Sequence, residues 1–241
     1  MLNFIDISNW QGELDPDSVF PNVDAVICKA TEGISFVDRF CDGFVQAAKR
    51  MDKPFGFYHF AGNNDATTEA DHFISNCEGY FNDGIPVLDW EGDQDVDWVN
   101  EFVNHVHDVK GIWCWIYANP WRFNQGGVEG NCMRWVASYP NVSHPTFSDA
   151  SDWEAPEADG LVGAWQFCSD GRIDGYDGNL DCNLYYGDVD SWNKYAGKYV
   201  EESSEEPAQE PVEEPVEEPS EGGSEEVVLE NEQYRVTIDK K

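Results

Sequence analysis

Residues 85–92 read IPVLDWEG, a short apolar run that ends in two acidic residues, Asp89 and Glu91, at positions i and i+2. Side chains spaced that way along a strand leave the same face, about 7 Å apart at a rise of about 3.3 Å per residue. Acidic residues recur at the ends of other strand-like runs. The first run, Leu2–Ile7, carries Asp6 within DISNWQG (6–12), and the last opens at Asp181 within GNLDCN. In a β/α barrel the C-terminal strand ends meet at one mouth, where active sites are built, so a barrel would make these carboxylates converge.

Working outward from 85–92, apolar runs with strand character fall at Ala25–Cys28, Phe55–Phe60, Ile112–Tyr117, Trp135–Tyr139, Leu161–Phe167 and, weakly, Leu184–Tyr186. Helical stripes lie between the early ones. Val37, Phe40, Cys41, Phe44, Val45 and Ala48 follow i, i+3, i+4, i+7 spacing. Ala66, Ala70, Phe73, Ile74, Cys77 and Phe81 do the same, with Asn64 or Asp65 placed to cap the start. Val96, Val99, Phe102, Val103 and Val106 form a third stripe. Eight strands with helices depleted in the C-terminal third predict an α/β fold, an irregular parallel β/α barrel of the TIM-like kind. An open doubly wound sheet is the alternative, but no Gly-rich phosphate loop follows the first strand.

The 241 residues suit one such domain and a tail. Composition changes after Tyr199. Residues 200–226 form an acidic Pro/Glu-rich segment with a PVEE repeat, expected to be a disordered, solvated linker. Residues 227–241 regain β character, with Tyr234, Val236 and Ile238 alternating, but are too short to fold alone. The barrel is therefore assigned to 1–199. Net charge is −34, with 11 basic and 33 acidic residues up to position 200 and 3 and 15 beyond it. So acidic a surface argues against nucleic acid and anionic membrane as partners. No signal-peptide pattern opens the chain and no window approaches a transmembrane span. Seven scattered cysteines without CxxC spacing read as reduced, mostly buried thiols.

Converging carboxylates cannot all ionise freely, because a neighbouring negative charge and a hydrophobic wall each raise a carboxyl pKa. Trp90, Tyr58 and Trp165 are candidates for that wall. One protonated carboxyl can then donate to a leaving oxygen while its anionic partner steadies positive charge, the division of labour that glycosidic cleavage needs. An i, i+2 acidic pair is common by chance in a chain with 48 acidic residues, so the strand-end position carries the weight. The aromatics of GFYHF (56–60) and AWQF (164–167) read individually as core, and His59 as a hydrogen-bonded core histidine. His105 and His107 diverge on a helix. No GxSxG elbow, P-loop or HExxH occurs, and neither metal nor cofactor is expected.

Taken together the motifs resemble glycoside hydrolase family 25, the Chalaropsis-type lysozymes. DISNWQG (6–12), KATEG with FVD (29–38), GFYHF (56–60), EADHF (69–73), PVLDWE (86–91), IYAN (116–119), WVASY (135–139), AWQF (164–167) and D-x-N (181–183) stand in the family's order over about residues 2–196. The resemblance implies a flattened, irregular β/α barrel that cleaves the β-1,4 bond between N-acetylmuramic acid and N-acetylglucosamine. It implies Glu91 as general acid, Asp89 as the carboxylate stabilising charge at the sugar, and Asp6 and Asp181 as supporting acids. Tyr58, Tyr117, Trp165 and Gln166 fall where the family lines its saccharide site. It favours substrate assistance by the 2-acetamido group with retention, while direct attack by Asp89 stays open.

The implied partner is bacterial peptidoglycan and the expected state a monomer. The family's common wall-binding repeats are absent from the sequence after the barrel. With no signal peptide, the setting expected is a phage or prophage endolysin made in the cytoplasm and freed at the wall when the membrane is breached, with a bacterial enzyme exported by another route as the alternative. Rival readings are a glycan-binding or virion structural module that lost turnover, and a barrel glycosidase acting on chitin.

Overall fold

A computed structural model describes residues 1–198, 226–231 and 234–239. Nine strands share one sheet: β1 (Leu2–Ile7), β2 (Ala25–Glu32), β3 (Phe36–Val37), β4 (Phe55–Phe60), β5 (Ile85–Asp89), β6 (Trp115–Ala118), β7 (Arg134–Ala137), β8 (Val162–Ile173) and β9 (Tyr176–Tyr185). Their order is β1-β9-β8-β7-β6-β5-β4-β2-β3, and β1 also pairs with β2. That second pairing closes eight strands into a barrel, with the two-residue β3 hung on β2 outside it.

Among the described residues seven α-helices accompany the strands: α1 (Pro16–Val19), α2 (Cys41–Arg50), α3 (Ala66–Asn76), α4 (Val96–Lys110), α5 (Pro120–Phe123), α6 (Phe147–Ser151) and α7 (Val189–Tyr195). The three long ones fall on the three apolar stripes. Asp65 caps α3 by accepting the Thr68 N–H at 2.9 Å, and Asp95 caps α4 through the Trp98 N–H at 2.9 Å. Gly111, with φ +71°, ends α4 in the left-handed conformation. Val37, assigned to the first stripe from its spacing, belongs instead to β3 and is exposed.

The barrel is mixed rather than all-parallel. From β1 through β8 each strand runs parallel to the next around the wall, but β9 is antiparallel to both β8 and β1. The reason is the connection. Asp174-Gly175 joins Ile173 to Tyr176 in a two-residue turn, and so short a link can only return the chain antiparallel. Gly175 takes φ +94°, and a Cβ there would sit 2.6 Å from the Ser18 carbonyl oxygen, so the turn requires glycine.

Two buried clusters follow from strand alternation. Phe4, Ile27, Ile85, Val87, Trp115 and Trp135 point into the barrel, while Ile5, Val26, Leu88 and Ile116 point outward under Phe44, Phe73, Phe102 and Val106 of the helices. Trp192 of α7 is wholly buried in the inner cluster, edge-on to Phe4 and Trp115, and donates its indole N–H to the Phe55 carbonyl at 3.1 Å. It plugs the end of the barrel opposite the strands' C-terminal ends. The inner face therefore changes character along each strand. Leu2 and Phe4 precede Asp6, Ile27 precedes Lys29, and Ile85 and Val87 precede Asp89. An apolar floor thus supports a polar upper layer that can meet water.

The chain divides into two units, Met1–Val200 and Glu201–Lys241. In the second, β10 (Glu226–Asn231) and β11 (Tyr234–Asp239) pair as an antiparallel hairpin. The expected acidic linker, apart from Glu226, lies outside the described residues. Among the described residues no helix is long and apolar enough to cross a membrane.

Candidate active site

A cavity of about 270 Å³ opens at the polar end of the barrel, lined by Asp6, Trp10, Lys29, Tyr58, Phe60, Asp89, Glu91, Tyr117, Trp135, Tyr139, Gln166 and Asp181. Each of the eight barrel strands contributes to it. The four acidic residues singled out from the sequence all reach this cavity, and so do Tyr58, Tyr117 and Gln166. Trp165 does not. It is 3% exposed, lies in the outer cluster beside Trp153 and Phe167, and donates its indole N–H to the Ser138 carbonyl at 2.7 Å. Adjacent residues of a strand face opposite ways, so Gln166 facing inward sends Trp165 outward. Trp90, expected in the cavity wall, is likewise buried in the outer cluster.

Asp6 is the best-braced carboxylate. Its Oδ2 accepts the Gln166 amide at 2.9 Å and the Asn183 amide at 2.8 Å. Asn183 Oδ1 accepts the Trp135 indole N–H at 2.9 Å, and an indole nitrogen can only donate, so the amide must turn its NH₂ toward Asp6. Gln166 Oε1 accepts the Tyr117 hydroxyl at 2.7 Å and that of Tyr139. Asp89 is as buried as Asp6, at 8% exposure each, and its Oδ1 has no hydrogen-bond partner among the described residues. Glu91, two residues beyond on the loop after β5, is the most exposed of the four.

Burial dominates the electrostatics. It pushes Asp6 well above the usual carboxylate range, Asp181 pushes in the same sense, and the two amides pull back. Burial, then Glu91 and Asp6, also push Asp89 well up, with Lys29 opposing. Asp181 rises to about 6 through burial and Glu91. Burial raises Glu91 too, against the pull of Arg122 and Lys29. The site therefore resists holding four negative charges at once. The largest upward push falls on Asp6 and Asp89, not on Glu91 as a simple acid and base division would suggest. Tyr58, raised well above its usual value by burial and by Asp89, stays a neutral phenol.

Several site residues carry no role in the sequence reading. Lys29, the one cation lining the cavity, pairs with Glu32 at 2.6 Å and sits under Phe60, 4.8 Å from the ring centre. It lies two positions after Ile27 on the inward face of β2, and that alternation was the available signal. Trp10 is 84% exposed on a 3-10 turn (Asn9–Gln11) tied down by Asp38, which accepts the Asn9 N–H at 2.7 Å and the Phe40 N–H at 2.9 Å. Arg122 of α5 donates to the Glu91 carbonyl at 2.7 Å and to that of Gly92, holding the turn that presents Glu91. His59 stands apart from the site as a buried hydrogen-bonded histidine, 2.8 Å from Thr31 Oγ1 and 2.9 Å from Glu69 Oε2. Among the described residues no group of three or more His, Cys, Asp or Glu side chains is arranged to hold a metal.

Residues 5–176, which include Asp6, Asp89 and Glu91, match the family model described as Glycosyl hydrolases family 25. The chain belongs to glycosyl hydrolase family 25. It is 31% identical over 189 residues to the autolytic lysozyme of Clostridium acetobutylicum, covering 75% of this chain and 55% of that protein. The chain thus spans little more than half of that relative. It is 26% identical over 213 residues to the N,O-diacetylmuramidase of Chalaropsis sp, covering 79% of this chain and 97% of that one. The crystal structure of the bacterial lysozyme from Streptomyces coelicolor aligns with a TM-score of 0.68 at 26% identity, over 81% of this chain and 97% of that chain. Asp181 lies beyond the family match, on the strand that faces Asp6.

Proposed function

We propose that this family 25 chain is a peptidoglycan hydrolase, an N-acetylmuramidase cleaving the β-1,4 bond between N-acetylmuramic acid and N-acetylglucosamine. The observation that carries the reading is the placement of an accessible Glu91 above a buried Asp89 at a mouth floored by Asp6 and Asp181. Relatives in the family named lysozyme and N,O-diacetylmuramidase support the substrate class. Glu91 is the proton donor to the glycosidic oxygen as the bond to the anomeric carbon breaks. Asp89 bears the anionic charge opposite the cation that develops there. A positive sugar ring beside Asp89 favours its ionised form, offsetting the burial that raises its pKa.

The route is retaining, with the substrate's own 2-acetamido oxygen closing on the anomeric carbon while Asp89 steadies the ring it forms. Water then opens that ring, and Glu91, now a carboxylate, takes the water's proton. Asp6 and Asp181 set the charge of the floor, and Tyr58, Tyr117 and Gln166 supply neutral hydrogen-bonding groups to the sugar. The substrate places the site of action at the bacterial cell wall.

A zymogram on purified wall, run beside soluble chitin oligomers, tests the proposal. Clearing of the wall with little action on chitin is expected. Chitin cleavage with an intact wall would assign another glycosidase, and inertness toward both would favour a glycan-binding module.

A further inference from the structure

The β8–β9 hairpin that carries Gln166, Asp181 and Asn183 also holds two cysteines opposite each other. All seven cysteines are free and buried, but only Cys168 and Cys182 are register partners in the sheet. Directly opposed residues of an antiparallel ladder have Cα atoms about 4.5–5.5 Å apart, inside the window of about 4.4–6.8 Å that a disulfide requires. The ladder slips on both sides of Cys168, between Gln166 and Cys168 and again between Cys168 and Gly171. Gly171 fills that irregularity without a side chain. A Cβ on it would meet the Cys182 sulfur at 2.3 Å and the Cys168 sulfur at 3.3 Å, so the sulfurs lie no further apart than the sum of these distances. Both thiols therefore converge on the one gap that glycine leaves.

We propose that Cys168 and Cys182 form an oxidation site, closing to a disulfide that staples the β8–β9 hairpin when the protein meets a peroxide. The Cys168 thiolate attacks one oxygen of hydrogen peroxide, the O–O bond breaks, and the departing hydroxide leaves as water with the proton Cys168 released. Cys182 then attacks the Cys168 sulfenic acid sulfur, the S–S bond forms, and the S–O bond breaks to release a second water. Each thiol loses one hydrogen, the two sulfurs together lose two electrons, and one peroxide becomes two waters. A hydrogen bond from Cys182 holds the Cys168 pKa down against its burial, which makes Cys168 the attacking sulfur. Cys182 and the thiols of Cys28, Cys41, Cys77, Cys114 and Cys132 are all pushed up, so Cys168 reacts first, and Cys182 is the one thiol opposite it in the sheet to resolve the sulfenic acid.

The test treats the folded full-length chain with dilute hydrogen peroxide, denatures it in N-ethylmaleimide, and maps its peptides by mass spectrometry with and without dithiothreitol. The expected product links the Cys168 and Cys182 peptides, two hydrogens lighter than the dithiol, with the other five cysteines alkylated. Closing so short a loop should raise the melting temperature by about 5 °C, reversibly with dithiothreitol. Neither Cys168→Ser nor Cys182→Ser should show that rise. Recovery of both cysteines as maleimide adducts, oxidation of either to a sulfinic acid, or bridges scrambled among the other thiols would overturn the proposal. A bridged protein with an unmoved melting temperature would refute the staple.

Discussion

Asp6 and Asp181 are register partners across the antiparallel β1–β9 ladder, two acidic side chains directly opposed at the floor of one cavity. Like charges so placed oppose each other, and a fold chosen for stability alone would not keep them. Asp6 has two amide donors to support its charge, whereas burial and Glu91 make Asp181 hold its proton more tightly.

Stability should therefore fall as Asp181 is forced to ionise. Its folded-state pKa of about 6 lies above the ordinary 3.8, so the native state binds the proton more tightly than the unfolded chain. That contribution is full below about pH 4 and is lost as pH rises through about 6. Asp181→Asn removes the loss and should raise the melting temperature at pH 7 by roughly 3–6 °C, with a smaller gain at pH 4. Calorimetry across that range checks it, and equal shifts at both pH values would count against a raised Asp181.

Lys29 lowers the proton affinity of both Asp89 and Glu91. Lys29→Met should move both limbs of the kcat/KM–pH profile upward, because both carboxyl groups lose the cation that favours their ionised form. An unchanged profile with reduced activity would make Lys29 a binding residue only.

Asn183 joins the Trp135 indole to Asp6. Asn183→Ala leaves a buried indole N–H and a buried carboxylate each short of a partner, a cost of about 1–3 kcal/mol per group. Urea denaturation should show that loss, together with reduced turnover. An undiminished stability would mean that water replaces the amide.

Trp10 offers an exposed indole face at the cavity rim on a 3-10 turn tied down by Asp38. Flat apolar faces suit sugar rings. Trp10→Ala should raise KM for a soluble glycan by about 30-fold, the size of one lost hot-spot contact, with kcat little changed. A fall in kcat alone would place Trp10 in the chemical step instead.

How much of this was legible in the sequence depends on which face of a strand each residue takes. Seven strand positions are readable because apolar runs alternate with helical stripes, and Asp6, Asp89 and Glu91 because they stand at the ends of those runs; the run Leu184–Tyr186 catches only the last two residues of β9, in whose interior Asp181 lies. The direction of β9 was missed although Asp174-Gly175 spells a two-residue hairpin turn. Trp165 was assigned to the saccharide site beside Gln166, yet neighbours on a strand cannot face the same way. Lys29 went unassigned because a cation within an apolar strand shows its purpose only when the barrel closes and carboxylates from β1, β5 and β9 surround it. The Asn183 and Gln166 braces join residues more than 150 positions apart and are set by closure alone.

The central claim, that Glu91 is the acid of a muramidase, is tested most directly by mass spectrometry of peptidoglycan digested with wild type and Glu91→Gln in parallel, after borohydride reduction of new chain ends. The account predicts reduced N-acetylmuramic acid ends from wild type, and about 10²–10⁴-fold slower release by a variant that folds normally. Reduced N-acetylglucosamine ends, or undiminished release by Glu91→Gln, would contradict it.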